Sequence, residues 1–116
     1  MAMGRRKNNH QSYAVYWCTT REHREDWFVV ASSAAEAARF HEAAEGERPG
    51  SVFADRLAPL PARLCGARGW FDPFDGLWTR GASWPSARLL ELCGATITAG
   101  AVRFEAPTAR AAARTS

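Results

Sequence analysis

Apolar and polar positions change their period several times along this chain, and each change marks an element. In residues 12–20, SYAVYWCTT, two apolar sets alternate: Tyr13, Val15 and Trp17 point one way, and Ala14, Tyr16 and Cys18 the other. A strand apolar on both faces belongs at a sheet centre or under cover on both sides. Residues 27–32, WFVVAS, repeat the pattern, with Trp27 and Val29 opposing Phe28 and Val30. The intervening REHRED is too polar to bury and has the length of a hairpin connection, across which Trp17 and Trp27 are placed to face each other.

The period then turns helical. Ser33 and Glu36 form an S-x-x-E capping box ahead of AAEAARFHEAAE, and Gly46 follows as the residue just past the end. On a helical wheel Phe40, Ala44, Ala37, His41 and Ala34 share the inward face, with Phe40 as the large anchor. Glu36, Arg39 and Glu42 share the outward face, at spacings that allow pairing one turn apart. ERPGS is a turn, and SVFADRL (51–57) a third strand, whose Asp55 and Arg56 suit an edge. Pro59 and Pro61 stop it, and PARLC makes one helical turn.

Residues 66–84, GARGWFDPFDGLWTRGASW, show no period and read as a nineteen-residue loop. Pro85 opens a second helix, PSARLLELC, from its first turn, with Leu89, Leu92 and Cys93 inward and Leu90 widening the stripe. ATITAGAVRFEA is a closing hairpin. A turn at Gly100-Ala101 pairs Ala99 with Val102 and Ile97 with Phe104, dividing the hairpin into one apolar and one polar face.

The predicted order is β-β-α-β-α-β-β. It reads as an α+β fold: a single-layer, mainly antiparallel sheet built from two hairpins, with the helices on one face. Residues 12–106 form the one domain that 116 residues suggest, between a flexible basic arm at 1–11 and a flexible tail at 107–116.

Charge changes the picture in one respect. The net charge is +3, but Arg5, Arg6, Lys7, Arg110 and Arg114 lie in the end segments. Setting those five aside leaves ten basic against twelve acidic residues, so the body is slightly acidic. Basic arms can hold phosphate backbones without reading sequence, which makes a nucleic-acid-associated protein one functional class. Fourteen arginines to one lysine, with abundant alanine, read as the coding bias of a GC-rich bacterial genome. The apolar run YAVYWC is too short for a membrane span or a secretory core, and the three cysteines are widely spaced, so a cytoplasmic protein with reduced thiols is expected.

Candidate chemistry falls in two places. Cys18 and His23 could serve as nucleophile and base, with Glu25 or Asp26 orienting the base. The stretch reads more readily as a strand cysteine beside a solvated turn, since a buried free cysteine commonly behaves as a small hydrophobe. Cys18 and His23 also form the one pair at zinc-like spacing, without a second pair, so neither metal nor cofactor is expected. Asp72 and Asp75 could act as a carboxylate pair, although Asp-Pro and Asp-Gly are turn dipeptides. The other place is the aperiodic segment, which holds Trp70, Phe71, Phe74, Trp78 and Trp84. Aromatics at this density either close one end of the core or bind a partner, since large rigid side chains dominate interface hot spots. Three functional classes follow: a protein-interaction module using residues 69–84, a nucleic-acid-associated protein using its arms, and a cysteine-dependent enzyme centred on Cys18 and His23.

Overall fold

The computed structural model describes residues 12–23 and 25–104. Its fold is α+β. The strands, however, form three small antiparallel sheets rather than one layer. The first has the order β2-β1-β3, from β1 (Ala14–Thr20), β2 (Trp27–Ala31) and β3 (Val52–Pro59). The central place of β1 explains its two apolar faces, and β3 takes the expected edge. Its register breaks between Val15 and Tyr16, where Ala58 and Arg56 are the successive partners. The strand runs on to Pro59, which an edge position tolerates. Trp17 pairs with Phe28, and Trp27 with Cys18, so the two tryptophans do not face each other.

Helix α1 (Ala34–Glu45) begins as its sequence requires: the Ser33 Oγ accepts from the Glu36 N–H at 3.0 Å. The Glu36 carboxylate accepts from the Ser32 N–H and hydroxyl, each at 2.7 Å, one residue further back than a standard box. Gly46 ends the helix at φ +70. The buried face is turned from the expected one, to Ala37, Ala38, His41 and Glu42, while Phe40 is half-buried. These alanines let α1 lie against Ala14, Tyr16, Cys18, Val29, Ala31 and Val52, forming one core cluster.

Glu42 was expected outside and is inside for a specific reason. Its carboxylate accepts two Arg39 N–H bonds, at 2.9 and 3.0 Å, and the N–H groups of Gly50 at 2.8 Å and Val52 at 3.3 Å. It thereby ties α1 to the start of β3. These donors, the Arg39 guanidinium first, hold its pKa down at about 2.

The other sheet face carries a second cluster around Tyr13, Val15, Phe28, Val30, Trp70 and Leu89. Helix α2 (Ala87–Leu92) contributes Leu89 and Leu90 to it, so the helices lie on opposite faces of the first sheet. Ser86 is its N-cap, accepting from the Leu89 N–H at 3.0 Å, and Pro85 therefore stands before the helix. Leu92, expected inside, is exposed.

Residues 66–84 are not a structureless loop. After a 3₁₀ turn at Ala62–Leu64, β4 (Cys65–Gly66), β5 (Gly69–Asp72) and β6 (Leu77–Thr79) form a meander. Gly69 has φ +127, and a Cβ there would run into the Thr79 carbonyl, so the close β5–β6 approach needs glycine. The final sheet pairs β7 (Ala95–Thr98) with β8 (Ala101–Phe104). Its turn is Ala99-Gly100, with φ +50 and +83, which is type I′ rather than a turn at Gly100-Ala101. Ile97 pairs with Val102, and Ala95 with Phe104. This register differs from the expected one by two residues, and an even slip preserves the division into faces. Phe104 meets Phe28 at 5.6 Å between centroids.

Candidate functional site

Cys18 and His23 are not assembled into a catalytic pair. Cys18 is buried in the α1-side cluster, and burial, with Asp55 adding to it, pushes its thiol up to about 12. The nucleophilic thiolate is scarce there at neutral pH. His23 stands exposed at the hairpin tip with φ +53, its Nδ1 2.8 Å from Asp26 Oδ2. Asp26 Oδ1 also accepts from the Thr20 N–H at 3.2 Å. His23 and Asp26 thus organise a turn. His41 is fully buried, against Trp84, and neither ring nitrogen has a hydrogen-bond partner among the described residues. No three His, Cys, Asp or Glu side chains gather as metal ligands among the described residues.

Asp72 and Asp75 meet through a turn: the Asp75 N–H donates to the Asp72 carbonyl. Asp72 is buried, and its oxygens accept from the Phe74 N–H and the Ser86 N–H, both at 3.0 Å. Its carbonyl accepts from the Asp75 and Gly76 N–H groups at 3.1 and 2.7 Å. One residue therefore closes the β5–β6 turn and joins it to α2.

The five aromatics divide between core and surface. Trp70 is 1% exposed, and its indole N–H donates to the Gly81 carbonyl at 2.8 Å. Trp84 packs edge-on against Phe40 at 4.9 Å and His41 at 5.7 Å, and Phe71 is half-buried against the α2-side cluster. Phe74 and Trp78, at 44% and 47%, are exposed, and Leu77, at 67%, more so. Trp78 rests against Phe71 at 5.5 Å and above Gly66, where a Cβ would come within 3.3 Å of its ring. The lack of a side chain at 66 lets the indole lie over the meander. Leu77 was not singled out in the sequence; its place beside the Asp-Gly turn is the signal that could have found it.

Arginines stand at both ends of this strip. The Arg88 guanidinium lies 5.1 Å from the Phe74 centroid, within cation–π reach, and its Nε is 3.7 Å from Glu91. At the other end stand exposed Arg68 and Arg80, and the Cβ absent from Gly69 would lie 2.9 Å from the Arg80 Cα. Within residues 65–80 the exposed acid is Asp75.

Arg5, Arg6 and Lys7 lie outside the described residues. No helix among the described residues is long and apolar enough to cross a membrane. No family model, curated protein or solved structure matches the chain.

Proposed function

We propose that this protein is a small non-enzymatic interaction module that binds another protein through the exposed part of segment 69–84. One observation carries the reading: Phe74, Leu77 and Trp78 stand exposed within five residues of one hairpin, on a root held by Asp72 and Gly69. Large apolar groups left in water on a rigid support gain by burial against a partner without losing much chain freedom. Aromatic and arginine side chains together have the composition of an interface centre. With Arg68, Arg80 and Arg88 around the strip, the matching surface is acidic with apolar anchors. The reading also places the protein in bacterial cytoplasm, where the free state of Cys18, Cys65 and Cys93 is the ordinary one.

The test is affinity capture followed by titration with the purified partner. Trp78→Ala and Leu77→Ala should each weaken binding by roughly tenfold or more, while the exposed positions keep the melting temperature near that of the parent. Wild-type affinity in both variants would overturn the proposal.

A further inference from the structure

A second feature lies where β2 begins, beside the last turn of α1. A shallow cleft of about 310 Å³ is lined by Glu25, Asp26, Trp27, Glu45 and Trp84. Two indoles and three carboxylates form it, with no basic side chain among the described lining residues. Trp27 is the first residue of an edge strand, placed opposite Cys18, and its side chain is 46% exposed. Trp84 is held beside the same strand by its neighbour: Ser83 and Val30 exchange both backbone bonds, at 2.9 and 3.0 Å. Glu45 follows His41 by one turn on the same face of α1.

The helix supplies an independent reason to read this cleft as a site. The last turn of α1 holds Glu42 and Glu45 and no basic residue. The negative pole of a helix lies at its C-terminal end, so a carboxylate there weakens the helix. Glu42 is compensated by Arg39, whereas Glu45 has no ion-pair partner among the described residues. A bound cation would relieve that repulsion. The exposed indole specifies which cation: aromatic faces favour weakly hydrated organic cations over small, strongly hydrated ions.

We infer that this cleft binds an organic cation, a guanidinium or alkylammonium head group, against the indoles of Trp27 and Trp84 and beside the carboxylates of Glu25 and Glu45. The site does not depend on the meander interface. The same head group can arrive as an arginine side chain of another protein or as a free amine. N-acetyl-arginine methylamide represents the first source and tetramethylammonium the second, with the uncharged citrulline analogue as control.

Titration of the full chain, followed by the tryptophan indole N–H resonances in NMR, should show saturable shifts at Trp27 with a Kd of about 1 mM for at least one cation. The cation that binds identifies the source. The citrulline analogue should bind roughly tenfold more weakly or not at all. Trp27→Ala should weaken binding by about tenfold, and Trp78→Ala should leave it unchanged. Glu45→Gln should weaken binding by roughly threefold and raise the melting temperature, because it removes a charge that opposes the helix pole. Both side chains are exposed, so the variants should keep the parent far-UV spectrum. Absence of saturable shifts with either cation, equal binding of citrulline, or full affinity in Trp27→Ala would each overturn the inference.

Discussion

Glu42 has an outward-facing residue type at an inward position, and its stability contribution can be read from its partners. Its pKa is lowered from 4.5 to about 2, so protons bind the unfolded chain more readily than the folded one. The stabilisation is therefore complete above pH 4.5 and is lost as the pH falls towards 2. Its size is on the order of 2 kcal/mol, reduced by solvent screening of the exposed Arg39. Glu42→Gln should lower the urea midpoint at pH 7. It should also flatten the decline in stability between pH 4.5 and 2, which denaturation at a series of pH values will measure. An unchanged acid limb would mean that other carboxylates set the acid sensitivity.

Among the elements, the β7–β8 hairpin shows how a turn decides a register. Ala99 occupies φ +50, a conformation costly for alanine and natural for asparagine. Ala99→Asn creates the Asn-Gly pair that type I′ turns prefer and should stabilise the protein by about 0.5–1 kcal/mol. A turn at Gly100-Ala101 would instead leave residue 99 in a strand, where asparagine is unfavourable. Thermal melts of the variant separate the two arrangements by the sign of the change.

At the scale of the molecule, both core clusters share β1. Val15 belongs to the α2-side cluster, while Tyr16 and Cys18 belong to the α1-side cluster. Damage on one side should therefore be felt on the other. Trp70→Ala removes the largest fully buried side chain and should cost about 3–5 kcal/mol. Helical circular dichroism, dominated by α1, and tryptophan fluorescence should still lose signal in one coincident transition. Separate transitions would show that the meander and α2 fold independently of the sheet.

The elements with room for a period were legible in the chain. Strands β1 and β2, helix α1 with its Ser33 cap and Gly46 end, and edge strand β3 follow from alternation, capping and propensity within a dozen residues. The polar tip around His23 and the turn role of Asp72 were legible for the same reason. The meander was not: β4, β5 and β6 span two to four residues each, too few to display alternation. Which aromatics of that segment are buried was equally closed to sequence reading. Trp70 and Trp78 are chemically alike, and one fills the core while the other lies over Gly66. That difference comes from strand pairing and from neighbours distant along the chain. Local sequence sets the type of an element through backbone preference and periodicity. The covering of each face, including the burial of Glu42 and the meeting of Trp27, Glu45 and Trp84 at one cleft, arises when separate elements compete for the same apolar surface.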